Sequence, residues 1–179
     1  MIAVDVCERE REWIVHLPFV CQKAIPRELA AYLYSGVTAV RSVGDPLDEA
    51  KKWRQAINTG ARQGAELFLC GPMFTTAGGH GTEYFKALPD NIRKMAEAQT
   101  VRLPKSADEA RAMVAALKGE DVNGIKAILE AGTSGMLFNR MDTGILRAIG
   151  EEARARDGPR SPSEPGWPSP ATLAAAFSG

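Results

Sequence analysis

Short apolar or β-branched runs alternate with bracketed helical segments along most of this chain, and that alternation limits the possible folds more than any other feature. Trp13-Ile-Val-His-Leu17 reads as a short strand. Pro26 at a first helical position and Gly36 past the end bracket a helix over 26–35, with Leu29, Tyr32 and Leu33 on its apolar face. Val37–Val43 is a strand rich in β-branched residues. Gly44-Asp45-Pro46 ends it and opens a second helix, with Asp45 as cap and Pro46 at N1, running to about Thr59 and stopping at Gly60. Ala65–Cys70 is a third strand, followed by a long loop broken by a short helix over 90–99. Ser106-Ala-Asp-Glu109 matches a capping box and opens a helix that ends near Gly119. Val122–Leu129 reads as a fourth strand despite its Asn123-Gly124 pair. Asp142 or Thr143 caps a last helix to about Arg156, closed by Gly158-Pro159.

Strands that alternate with helices imply βαβ units and a parallel sheet. Four such units make half of a (β/α)₈ barrel or a small open doubly wound sheet, and the pattern alone admits both. A chain of 179 residues is long enough for one domain with a real core. The expected domain covers 13–157. Residues 158–179 carry proline every few positions before a short apolar end, which predicts a disordered or loosely packed tail.

Composition excludes several classes of function. Lys+Arg and Asp+Glu stand at 22 each, so no net field would gather nucleic acid or an anionic membrane. No apolar run reaches the length of a membrane span. Asp5, Glu8, Arg9, Glu10, Arg11 and Glu12 break the N-terminus, so it does not read as a signal peptide. Cys7, Cys21 and Cys70 form an odd set without metal-type pairing, which fits thiols in a reducing, cytoplasmic compartment.

Chemistry concentrates in Gly71-Pro-Met-Phe-Thr-Thr-Ala-Gly-Gly-His-Gly81. This small-residue loop lies beyond the carboxyl end of the third strand, where parallel-sheet proteins place their sites, and it holds His80, one of two histidines, between two glycines. Glu83 and Tyr84 follow, and either line the same mouth or stand solvated at the surface. Lys126 alternates with Ala127, so it shares a face with Ile128; in a barrel that face is the interior, where an uncompensated ammonium is costly. No Lys-Ser/Thr follows the glycines, which excludes a P-loop, and there is no Gly-x-Ser-x-Gly elbow.

Three stretches, in order, resemble the amidohydrolase superfamily, nearest to its imidazolonepropionase-like and prolidase-like metal-dependent hydrolases. Leu33-Tyr-Ser-Gly-Val-Thr-Ala-Val-Arg-Ser-Val-Gly44 is similar to that family's helix into strand two. Gly71–Gly81 is similar to its glycine-rich loop after strand three, and Gly124-Ile-Lys-Ala-Ile-Leu-Glu130 to its strand four. The helix over 141–156 resembles the one that follows. The resemblance implies a partial TIM-type barrel of about four parallel βα units, covering half of the family's catalytic domain.

It also implies hydrolysis of C–N bonds in small-molecule substrates by one or two divalent metals, often zinc. The family draws its ligands from a His-x-His on strand one, a carbamylated lysine on strand four, and histidines and an aspartate on later strands. Matched residue by residue, His16 fits the second histidine, whereas Ile14 stands in the first position and cannot bind metal. Lys126 fits the bridging lysine. His80 fits the loop histidine, on the substrate side. Nothing after strand four is represented, and no catalytic residue is assigned. The expectation is a truncated relative, inactive alone, whose exposed sheet edges allow homo-oligomers. One alternative is a dimer that completes the site, with Asp45, Glu83 and Glu130 as conceivable donors. Another is a small α/β binding module without chemistry.

Overall fold

The computed structural model describes residues 24–86, 88–133 and 135–155 and the backbone of 173–175. The expected strand Trp13–Leu17, and His16 with it, lies outside these residues. Helix α1 (Ile25–Tyr34) carries Pro26 in its first turn, where the missing N–H removes no helical bond. It leads into β1 (Ala39–Ser42), α2 (Leu47–Asn58), β2 (Glu66–Leu69) and β3 (Met73–Phe74). A short 3₁₀ turn (Glu83–Phe85) precedes α3 (Asp90–Thr100) and β4 (Val101–Arg102). Then come α4 (Ala107–Lys118), β5 (Lys126–Ile128), a hairpin of β6 (Gly132–Thr133) and β7 (Met136–Leu137), and α5 (Thr143–Ala155). Strand β8 (Leu173–Ala175) comes last.

All pairings outside the hairpin are parallel. β1 lies beside β2, β3 lies between β4 and β5, and β8 lies beside β5 with Lys126 opposite Leu173. β2 and β3 follow one another across a three-residue step that carries the chain from one sheet to the other. Leu67, Leu69 and Phe74 all pack into the core beneath the helices, an odd spacing that regular alternation cannot give. Gly71 supplies the step. Its φ is +65°, and an added Cβ would stand 3.1 Å from Val122 Cγ1. The facing segment is irregular too: Val122 and Ile125, three apart, join the same core.

That core joins one face of the sheet to four helices: Leu29 from α1, Leu47 and Ala50 from α2, Val114 and Leu117 from α4, and Ala148 and Ile149 from α5. The opposite face of β3 and β5 holds Met73 and Ile128, which pack with Phe85, Leu88, Val101 and the α3 residues Ile92 and Ala96.

Several expectations need correction. Asp45 does not cap α2: Pro46 is the N-cap and no side chain bonds there, so Asp45 stays in the loop after β1. The capping box at α4 is shifted. Ser106 Oγ accepts from Glu109 N–H at 3.2 Å, but Glu109 Oε2 accepts from Lys105 N–H rather than from Ser106. The fourth strand shrinks to three residues because Asn123-Gly124 does turn the chain out of regular pairing. Of the stretch expected to be disordered or loosely packed, only the backbone of Leu173–Ala175 is described, and it pairs with β5 past the last proline, Pro170, where a ladder is allowed. The rest of 158–179 lies outside the described residues.

Candidate active-site mouth

The parallel strands point their carboxyl ends at three loops: 43–46 after β1, 75–89 after β3 and 129–142 after β5. Two groups of polar residues gather at this end. The first lines the inner sheet face. Ile125 and Ala127 face the helices, so Lys126 and Ile128 face inward. Lys126 is half-buried, and burial holds its ammonium below the usual lysine range against the opposing pull of Cys70 and Asp45. No acid among the described residues forms an ion pair with it. Cys70, buried at the step between β2 and β3, has its thiol pushed up by burial while Arg41 and Lys126 pull the other way. Cys70 thus interacts electrostatically with Arg41 and Lys126, and Lys126 with Asp45 as well.

The second group surrounds His80. Its loop folds on itself: Thr75 Oγ1 donates to His80 O at 3.0 Å, Thr82 Oγ1 to Gly79 O at 2.8 Å, and Gly81 N–H to Glu83 Oε2 at 2.6 Å. Gly81 (φ +97°) lies against the inner face, and an added Cβ would be 3.1 Å from Met73 Sδ and 3.8 Å from Ile128 Cδ1. His80 Nδ1 is 3.1 Å from Glu130 Oε2 and 3.8 Å from Glu83 Oε1. The nitrogen is buried yet makes no aligned hydrogen bond among the described residues. Phe138 meets the ring edge-on at 4.8 Å between centroids, and Tyr84 at 6.1 Å. Burial, then Glu83 and Glu130, push the Tyr84 phenol up.

Of the residues singled out from sequence, His80, Glu83, Tyr84 and Glu130 therefore meet at one mouth, and Lys126 stands on the inner face that Gly81 covers. His16 lies outside the described residues. Phe138 and Asn139 went unnoticed, since the two-residue strands of the hairpin leave no periodic trace. Asn139 fastens this loop to the other: its N–H donates to Gly78 O at 3.0 Å and its Nδ2 to Ala77 O at 2.8 Å. Among the described residues no group of three His, Cys, Asp or Glu side chains is placed to hold a metal ion. Those residues do not fit a divalent metal by themselves. No described helix is long and apolar enough to cross a membrane.

No protein-family model and no curated protein matches the chain. Solved structures do. Phenylurea hydrolase B superposes with a TM-score of 0.60 at 23% identity, covering 80% of this chain and 36% of the hydrolase. A prolidase in complex with N-methylphosphonate-L-proline gives 0.56 at 24%, covering 71% and 32%. The ochratoxinase of A. niger gives 0.58 at 21%, covering 73% and 32%. At these identities the likeness is one of fold, and the chain spans about a third of the length of the structures it matches. The class is thereby defined: a mixed α/β chain with a partial amidohydrolase-like barrel fold.

Proposed function

We propose that this chain is the front part of a metal-dependent C–N hydrolase barrel and that it does not hydrolyse substrate alone. The observation that carries the reading is Lys126: a strand lysine on the inner face, without an ion pair among the described residues, its charge disfavoured by burial more than Asp45 favours it. By its resemblance to the strand-four lysine of the amidohydrolases, this amine would take up carbon dioxide as a carbamate and so serve as a metal ligand. In this reading His16 and Lys126 are two ligands of a site for zinc or another divalent metal, and His80 stands on the substrate side. The neighbours named for phenylurea and prolyl substrates support a small molecule with an amide-type C–N bond. The odd cysteine set supports a cytoplasmic home. The described four-stranded sheet ends at β4 and β8, and association of copies through these edges is part of the proposal.

The test uses the whole chain. Purified protein is incubated with ¹³C-bicarbonate, its carbamate carbon is read by NMR, its zinc content is measured, and prolyl dipeptide and phenylurea are offered with and without added zinc. A carbamate signal that disappears in Lys126→Ala, with substoichiometric zinc and no turnover, is expected. Absence of a carbamate overturns the reading and favours an α/β binding module. Stoichiometric zinc with turnover that chelation abolishes overturns the statement that the chain is inactive. Sedimentation velocity tests the association of copies.

A further inference from the structure

The mouth contains a contact that hydrolysis does not explain. His80 belongs to the loop after β3, while Glu130 and Phe138 belong to the loop after β5. The His80–Glu130 approach of 3.1 Å therefore joins two loops that are distant in sequence, 50 residues apart along the chain. We infer that this imidazole is a proton-operated clasp between the two loops: protonated, it holds the mouth together, and neutral, it releases part of that hold.

The geometry supports this directly. Nδ1 faces two carboxylates, Glu130 from across the mouth and Glu83 from its own side. The other titratable group against the ring is the Tyr84 phenol, which burial and those same carboxylates keep protonated; Phe138, packed on the ring edge, bears no charge. A neutral ring meets Glu130 either with a lone pair, which repels the carboxylate, or with one poorly aligned N–H. An imidazolium meets the same oxygens with an N–H and a full charge. The ring edge is fixed by Phe138, so protonation changes the strength of the contact without a new rotamer. Protonation adds a charge and an N–H facing the carboxylates of Glu130 and Glu83, so the clasp tightens on acidification. This inference does not depend on the hydrolase reading.

The Asn139 amide reports the clasp, because it donates across the mouth to Gly78 O. Its hydrogen exchange, corrected for the intrinsic dependence on pH, is measured by NMR at about pH 6 and pH 8, within the range histidine titrates, in the full chain and in Glu130→Gln and His80→Gln. Protection in the parent chain should be greater at the lower pH by about fivefold, the size of one partly exposed charge pair. Both variants should show equal protection at the two pH values. An identical pH ratio in parent and variants overturns the clasp. Near-ultraviolet circular dichroism confirms that each variant is folded, and if one is not, the other decides alone.

Discussion

Asn123 holds Leu69 from two sides at once: its main-chain N–H donates to Leu69 O at 2.6 Å, and its side-chain Oδ1 accepts from Leu69 N–H at 2.9 Å. The side chain thereby does the work of a ladder carbonyl where β5 has not yet settled into regular pairing. Arg54 from α2 steadies the arrangement, donating to Asp121 O at 2.8 Å, Asp121 Oδ2 at 2.7 Å and Asn123 Oδ1 at 3.3 Å. One residue type joins the strand, the turn before it and a helix. Replacing it leaves the buried Leu69 N–H without an acceptor.

Asn123→Ala should therefore lower stability by about 1–3 kcal/mol, the penalty of an unsatisfied buried donor. Asn123→Asp, which keeps the acceptor and meets Arg54, should lose less. Urea unfolding of the three proteins, with equal m-values, measures this. Equal losses in the two variants would show that the amide group contributes through packing instead.

Two aspartates that look alike in sequence should behave differently. Asp142 Oδ1 accepts from Gly144 N–H at 2.8 Å and Ile145 N–H at 3.1 Å, the second and third positions of α5. Asp142→Ala should cost about 0.5–2 kcal/mol, as helix caps do. Asp45 stands before α2 without such a bond. Asp45→Ala should stay within about 0.5 kcal/mol of the parent. Thermal unfolding of both variants separates them.

Gly81→Ala should destabilise the mouth specifically. A side chain at φ +97° is strained, and its Cβ would enter the space of Met73 Sδ at 3.1 Å and Cε at 3.2 Å. A cost of about 1–3 kcal/mol is expected. Because Gly81 N–H also anchors Glu83, amide exchange should quicken in 75–86 more than in α4 or α5. Uniform quickening would mean that the glycine matters to the fold and not to the loop.

Much of the architecture was legible because its signals are local. Pro26, the Ser106 cap and the β-branched run before Gly44 act within a turn of chain, and the elements stand where these residues put them. What escaped was set by contacts across the sequence. Met73–Phe74 and Val101–Arg102 are too short to show a period, and they pair because the step at Gly71 turns the chain toward new neighbours. The mouth was half visible: glycines flank His80 in the chain, but Phe138 reaches it only through a hairpin whose position depends on Asn139. Alternation placed Lys126 and Ile128 on one face, and the core beneath Ala127 agrees.

Lys126 gives the last prediction, and its sign follows from burial. The folded chain disfavours the ammonium, so its pKa lies below the ordinary 10.5. Between the folded value and 10.5 the unfolded chain binds more protons, so the contribution of this lysine to stability rises with pH there. Below the folded value its destabilising effect is complete and constant. Lys126→Met keeps the stem and removes the charge, and should raise the melting temperature at neutral pH by a few degrees, given about 2–4 °C per kcal/mol at this chain length. The advantage over the parent should shrink as pH climbs toward 10.5. Differential scanning calorimetry of both proteins across that range reads it. An advantage independent of pH would mean that methionine merely packs better, and that burial of the charge is not what separates the two chains.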